Sequence, residues 1–96
     1  MNSILDETNG TTELITFHCT AAEAGNVSLI GDFNNWNAHS HPMRPERNGS
    51  WIVDVLLSRG RHYYQFLVDG EPVLDPEAMY AVSEALQSKV SLIALS

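Results

Sequence analysis

A chain of 96 residues is long enough for one hydrophobic core and too short for a second. Its 12 acidic and 5 basic residues give a formal net charge of -7, which argues against nucleic acid or an anionic membrane as partner, because phosphate contacts need clustered Lys and Arg. Cys19 is the sole cysteine, so no intrachain disulfide can form and a cytoplasmic location is expected, and no apolar run approaches the roughly 18 residues of a membrane span.

The chain begins with a polar, turn-rich stretch, and regular alternation of apolar and polar residues starts after it. Residues 1–12 are predicted to be a mobile N-terminal arm, which leaves residues 13–96 as a single folded domain. Residues 13–20 alternate with a period of two, which predicts a β-strand. A second apolar run, residues 27–30, predicts another strand that ends at Gly31.

The strand pattern is interrupted next by the stretch Gly31-Asp32-Phe33-Asn34-Asn35-Trp36-Asn37. Asparagine tolerates a left-handed backbone and bonds its own main chain, so Asn34-Asn35 predicts a tight turn. Trp36 comes directly after this turn, where its indole either folds over the rim of the domain as a lid or stands out as a flat platform. The sequence leaves both alternatives open, and only the second makes this stretch a binding site.

A polar loop and three further strands are predicted across the middle of the chain. The loop covers residues 37–50 and holds His39 and His41, which lack a fixed third ligand and are predicted to be solvated rather than metal-binding. Alternation and turn signals then predict strands at residues 51–57, 62–68 and 72–74. The aromatic residues expected in the core are Trp51, Tyr64 and Phe66.

Two interpretations are open for the segment after these strands. Asp75-Pro76-Glu77 has the order of an N-cap, a first-turn proline and an acidic first turn, so residues 76–86 are predicted to form a short helix. A structured loop with one helical turn has much the same pattern. Residues 89–95 are predicted to close the chain as a strand that is apolar on both faces. Short strands separated by turn signals predict an all-β sandwich of about 6–8 antiparallel strands.

The motifs occur in a characteristic order, namely V-x-L-x-G-D-F-N-N-W-N, then N-G-S-W, then G-R-H-Y-Y-Q-F-L-V-D-G, then D-P. This order resembles carbohydrate-binding module family 48, and the likeness covers residues 14–95. That family includes the glycogen-binding domain of AMP-activated protein kinase β subunits and the N-terminal domains of isoamylases and branching enzymes. The resemblance implies an immunoglobulin-like (early-set) β-sandwich without catalytic residues, often fused to an α-amylase-type enzyme. No enzyme follows in this sequence, so a free-standing module is expected.

This chain matches the ligand-binding positions of the family only in part. Trp36 matches the tryptophan that stacks on sugar rings in the glycogen-binding members. Pro72 stands where a second tryptophan completes the platform, and Gln65 stands where a lysine hydrogen-bonds sugar hydroxyls. Val90 aligns with an asparagine near the start of the last strand. The stacking residue is therefore kept, Gln65 is a change to another hydrogen-bonding type, and the other two positions are lost.

The function expected from these residues is weak, non-catalytic binding of an α-1,4-glucan around Trp36. Amide groups would meet the sugar hydroxyls, and a tyrosine would replace the missing tryptophan as a second platform. The residues expected to bind are Trp36, Asn34, Asn35, Gln65 and Tyr63. No catalytic group is expected, because the carboxylates are scattered at strand ends, and no metal or cofactor is expected either.

The alternative is a protein-interaction or regulatory sandwich that has lost sugar binding, since fold does not imply function. The last strand supports this alternative, because its outer face carries the apolar residues Val90 and Leu92. A protein partner and a homodimer are both left open by this pattern. Sugar titration is expected to separate the two functions.

Overall fold

Segments in which apolar and polar residues alternate form β-strands in the described part of the chain. The computed structural model describes residues 12–96. Its strands are β1 (Thr12–Thr20), β2 (Val27–Gly31), β3 (Arg44–Pro45), β4 (Ser50–Ser58), β5 (Gly60–Val68), β6 (Glu71–Val73), β7 (Met79–Ser83) and β8 (Ser88–Leu95). A 3-10 helix, Asp32–Asn34, follows β2. The all-β prediction is confirmed, and within residues 12–96 we find no helix with the length and hydropathy to cross a bilayer.

Two antiparallel sheets pack face to face. One has the strand order β1-β4-β3, and the other has the order β2-β5-β8-β7, with β6 also paired to β5. β8 pairs with β5 from Gly60 to Tyr64, whereas β6 pairs with the end of β5, where Pro72 lies opposite Leu67. A proline is tolerated in so short a strand because few ladder hydrogen bonds are needed there. The result is the immunoglobulin-like β-sandwich that the sequence predicts.

The core lies between the sheets and is built from the inward-facing residues of the alternating pairs. Phe66 and Leu29 are fully buried, and Phe17 and Tyr64 pack against them. Each large apolar side chain removed from water contributes roughly 1.5–3 kcal/mol, so these residues supply the main driving force for folding. Trp51 lies partly buried at the margin of this core, and its Nε1 donates a hydrogen bond to a backbone carbonyl at 3.0 Å. Tyr64 and Phe66 are confirmed as core residues, and Trp51 is a partly buried neighbour of the core.

The loop predicted at residues 37–50 is tied to both sheets. Its middle runs along β2, where Leu29 N donates to His41 O at 2.9 Å and Met43 N donates to Val27 O at 2.8 Å. The next two residues form β3 on the other sheet, a strand that the sequence pattern does not predict. Met43 is 6% exposed, so a flexible methionine from the loop fills space between the sheets.

The short helix predicted at residues 76–86 is wrong. Asp75 starts a turn as expected, because Glu77 N donates to its Oδ1 at 3.0 Å and Ala78 N donates to its backbone oxygen at 3.2 Å. The chain then extends into β7, every residue of which pairs with β8. The residues Asp75-Pro76-Glu77 account only for the turn, and the cross-strand ladder with β8 decides the conformation of the residues that follow. This is the usual way in which tertiary context overrides a local propensity.

The first strand begins at Thr12, which pairs with Ser58, one residue before the predicted start at Glu13. The rest of the predicted mobile arm, residues 1–11, lies outside the described residues. Both the arm and the domain boundary at residue 13 therefore stay predictions.

Candidate functional site

Asn34 organises the turn after β2 through its side-chain amide. Its Oδ1 accepts hydrogen bonds from Gly31 N at 3.1 Å and from Asn37 N at 3.3 Å. Its Nδ2 donates to Leu29 O at 3.1 Å and lies 2.8 Å from His41 Nδ1. An amide with this many internal partners has little hydrogen-bonding capacity left for a ligand. Asn34 therefore acts as a positioning residue for the turn, and its direct contact with a sugar stays a prediction.

The next two residues carry the turn through left-handed backbone. Asn35 and Trp36 both have a φ of 57°, and Trp36 N donates to Gly31 O at 2.9 Å. This backbone suits asparagine but is rare for a bulky residue, where it costs on the order of 1–3 kcal/mol. Such strain persists only where the surroundings enforce it, and the Asn34 bonds do so here. The turn leaves Asn35 exposed and Trp36 half-buried.

Asp32 ties the same turn to β5. Its Oδ2 accepts a hydrogen bond from Tyr63 N at 3.1 Å, and its Oδ1 lies 3.4 Å from His62 Nδ1. Gly31 permits this close approach, because a Cβ at that position would lie 2.8 Å from Tyr63 O. The contacts bring Trp36 next to Tyr63, although the two residues are far apart in the sequence.

A groove of about 310 Å³ opens beside Trp36 on the outer face of the five-stranded sheet. Trp36 and Tyr63 contribute aromatic rings to it, and β7 contributes much of the remaining wall. The lining residues are Asp32, Trp36, Tyr63, Ala81, Val82, Ser83 and Val90. Sequence reasoning missed the β7 wall, although the aromatic and β-branched residues of Met-Tyr-Ala-Val-Ser are typical of a strand. The groove is the place where two of the predicted site residues, Trp36 and Tyr63, meet.

Gln65 lies on the same face of β5 as Tyr63 but is almost completely covered. It is 8% exposed, and its Nε2 donates to Lys89 O at 2.9 Å. Pro72 is exposed on β6, opposite Leu67. A sugar hydroxyl could reach Gln65 only after part of this side chain became accessible. Its role in sugar binding therefore stays a prediction.

The apolar outer face predicted for the last strand is not open to a partner at Val90, which is 1% exposed. Leu92 on the same strand is half-buried. Large exposed apolar side chains lie instead on the neighbouring strand β7, where Met79 is 73%, Tyr80 57% and Val82 69% exposed. The apolar surface predicted for the last strand therefore lies mainly on β7 in the folded chain.

The inner face of the same sheet holds a buried polar contact that helps to place β7. Tyr64 Oη donates to Asp75 Oδ2 at 2.7 Å, and Asp75 N donates to Ser91 Oγ at 2.8 Å. Burial raises the pKa of Tyr64 well above its ordinary value, and the hydrogen bond to Asp75 and the charge of that residue add to the effect. A crevice of about 380 Å³ lies alongside, but its aromatic rings, Phe17 and Tyr64, are buried in the core and offer no stacking face.

In the described part of the chain, the remaining candidate groups are one thiol and scattered histidines and carboxylates. Cys19 is buried, and burial, reinforced by the negative charge of Asp75, raises the pKa of its thiol. A raised pKa lowers the thiolate fraction and makes the sulfur a poor nucleophile. Within residues 12–96, no three His, Cys, Asp or Glu side chains are grouped as a metal site requires. The groove beside Trp36 is therefore the candidate functional site.

Comparison with known proteins gives a family that covers nearly the whole described chain. Residues 15–93 match the family described as "Glycogen recognition site of AMP-activated protein kinase". The match includes the turn at Trp36, all of β5 and the β7 wall of the groove.

The relatives include several proteins named 1,4-alpha-glucan branching enzyme GlgB. The one from Bradyrhizobium sp. (strain ORS 278) is 41% identical over 56 residues, which is 58% of this chain and 8% of the relative. The one from Bradyrhizobium sp. (strain BTAi1) is 37% identical over 67 residues, or 70% and 9% of the two proteins. GlgB 2 of Xanthomonas campestris pv. campestris (strain 8004) is 30% identical over 83 residues, or 83% and 11%. The chain thus spans about a tenth of the length of these relatives.

Proposed function

The chain belongs to carbohydrate-binding module family 48, the family of the glycogen recognition site of AMP-activated protein kinase, and from this premise we propose that it is a non-catalytic α-glucan-binding module. The proposed ligand is a short segment of an α-1,4-linked glucan such as glycogen or starch, stacked on Trp36. The family description refers to glycogen, and the name of the relatives refers to 1,4-alpha-glucan. Both point to the same class of ligand.

The observation that carries the proposal is the placement of Trp36 and Tyr63 in one groove. A pyranose ring has an apolar C–H face, to which a flat aromatic side chain is complementary, and a stacking pair contributes roughly 0.5–1.5 kcal/mol beyond area burial. Tyr63 is the proposed second stacking residue, because Pro72 has no aromatic ring. A volume of about 310 Å³ is at the small end of ligand pockets, which suits a short glucan segment.

The proposed binding is weak because the groove offers few polar partners. Asn35 is exposed, whereas the amides of Asn34 and Gln65 already have partners inside the protein. Sugar hydroxyls that lose water without gaining a partner reduce the affinity. We expect a dissociation constant of about 1 mM for maltoheptaose.

An NMR titration with maltoheptaose tests the proposal directly on the 96-residue chain, without any attached domain. The chain has two tryptophans, and Trp51 serves as an internal control because its Nε1 is bonded to Ala21 O, away from the groove lining. We expect the Trp36 indole signal to move progressively and the Trp51 signal to stay in place. A Trp36 signal unchanged at about 10 mM sugar would contradict the proposal, because a millimolar site would then be mostly occupied. Cellohexaose, with β-linkages, controls for linkage.

Two substitutions test the roles of the aromatic rings. Trp36→Ala is expected to abolish the retardation of the protein in glycogen-containing native gels, and Tyr63→Ala to weaken it about 3–10-fold, in line with one stacking contact. Leu56→Ala is the matched control, because Leu56 is 67% exposed on the other sheet and lies outside the groove. Equal retardation of Tyr63→Ala and the parent would remove Tyr63 from the site.

The proposed location is the cytoplasm, because the sole cysteine is a buried free thiol, as is usual in a reducing compartment. Fractionation of cells that produce the chain checks this point. Recovery of the chain in an extracytoplasmic fraction would contradict it.

The second candidate function is a protein-interaction module without sugar binding. Its specific support is the exposure of Met79, Tyr80 and Val82 along one strand. An unmoved Trp36 indole, together with an interaction that depends on β7, would favour this function over the first.

A further inference from the structure

The two outer strands of the five-stranded sheet differ in what covers them. β2 is protected by the loop, since Leu29 N donates to His41 O and Met43 N donates to Val27 O. β7 pairs with β8 on one side, and within residues 12–96 no segment pairs with its other side. An open edge leaves backbone N–H and C=O groups without strand partners, which is a template for another strand.

β7 also lacks the features that keep an open edge from pairing. Edges are commonly protected by lysine, proline, bulges or inward-pointing charges. Met79–Ser83 contains no charged residue, proline or glycine. Its exposed side chains are instead large and apolar, with Met79 at 73%, Tyr80 at 57% and Val82 at 69% exposure. The edge therefore offers backbone hydrogen bonds and apolar surface together.

We propose that β7 pairs antiparallel with β7 of a second copy of this chain, about a two-fold axis at Ala81. In this register, Tyr80 of one copy lies opposite Val82 of the other, and Met79 lies opposite Ser83. The two five-stranded sheets become one continuous sheet, with both grooves open on the same side. A two-fold contact of this kind uses the same strand on both copies, so it closes as a dimer and does not propagate into fibres.

Charge is the reason that this edge suits a second copy. The net charge of -7 opposes contact between copies over most of the surface, but β7 itself is uncharged. In the proposed register the flanking residues Glu77 and Glu84 both fall opposite alanines, so no two carboxylates face each other across the pair. Lys89 Nζ lies 4.7 Å from the centre of the Tyr80 ring and places a positive charge beside the contact.

The paired surface is small, and the dimer is correspondingly weak. Five residues a side form a contact at the low end of specific interfaces, where association is transient. We expect a dissociation constant on the order of 100 µM. The dimer does not require sugar, so its test is independent of the proposed glucan binding.

Sedimentation velocity between about 10 µM and 1 mM brackets that dissociation constant and tests the dimer. The parent chain is expected to shift from monomer to dimer. Val82→Glu, which sets a carboxylate against the Tyr80 ring of the other copy and adds to the negative charge of both copies, is expected to stay monomeric with at least 10-fold weaker association. Leu14→Glu is the matched control, because Leu14 is 60% exposed on the edge strand of the other sheet. It is expected to dimerise like the parent. A monomeric parent, or equal dimerisation of Val82→Glu, would overturn the proposal.

A second measurement is independent of any variant's folding. In a mixture of isotope-labelled and unlabelled parent chain, filtered NOE spectra report contacts between copies only. Cross-peaks are expected between the Tyr80 ring of one copy and the Val82 methyl groups of the other. Dimerisation without these cross-peaks would place the contact elsewhere and overturn the assignment to β7.

Discussion

Tyr63 and Tyr64 are neighbours on β5 and face opposite sides of one sheet. Tyr64 is 3% exposed in the core, where its hydroxyl donates to Asp75. Tyr63 is half-buried and lines the outer groove together with Trp36. The inner face of the strand is thus committed to stability, whereas the outer face carries the proposed binding surface. Adjacent residues should therefore respond very differently to substitution.

The largest expected difference is between Phe66→Ala and Tyr63→Ala. Phe66 is fully buried, so its removal leaves a cavity and lowers the free energy of unfolding by about 3–5 kcal/mol. Tyr63→Ala loses cross-strand packing on the outer face and costs about 1 kcal/mol or less. Urea denaturation followed by circular dichroism measures both. Similar losses in the free energy of unfolding for the two variants would contradict the inference that the inner face provides stability and the outer face does not. If Phe66→Ala does not fold, Phe66→Leu serves in its place with a smaller loss.

Asn34→Ala tests whether the turn, rather than a sugar, is the main partner of this amide. Gly31 N and Leu29 O would lose their side-chain partner. A buried donor or acceptor that is left unpaired costs about 1–3 kcal/mol. We expect a lower urea midpoint together with weaker maltoheptaose binding, because Trp36 would no longer be held in place. Asn35→Gly is the matched control and is expected to leave the midpoint nearly unchanged, since Asn35 is exposed and glycine readily adopts its left-handed backbone. Lost binding with unchanged stability would instead make Asn34 a direct ligand contact.

The effect of Tyr64→Phe on the pH dependence of stability is the smallest of the three, and it appears in alkaline solution. The folded state raises the pKa of Tyr64 above its ordinary value of 10.0, so the stability contributed by the neutral phenol is complete below that pH and declines above it. Once the unfolded chain releases this proton and the folded chain keeps it, the free energy of unfolding falls by about 1.4 kcal/mol per pH unit. Tyr64→Phe should lack this component of the slope, and Tyr80→Phe should retain it. Equal alkaline slopes for Tyr64→Phe and the parent would show that the phenol is not held neutral by its surroundings.

Predictability from sequence differs between the fold and the site. The strands of the sandwich follow from alternation and turn residues, which are local properties, so residues 13–20 and 62–68 were predicted within two residues of their observed limits. The region around β7 was predicted as helix because Asp75-Pro76-Glu77 does begin a turn. Its pairing with β8 depends on a segment further along the chain, which no local pattern reports.

The sequence by itself determined the all-β class, the tight turn at Asn34-Asn35 and the motif order of the family, because period-two alternation and turn chemistry act over a few residues. Only the tertiary structure decided that Trp36 and Tyr63 share a groove and that the Gln65 amide is bonded to Lys89 O. It also decided that, among the described residues, β7 has no strand partner on its outer side and exposes large apolar side chains. These properties depend on which strands become neighbours, and strand pairing joins residues that are distant in the chain.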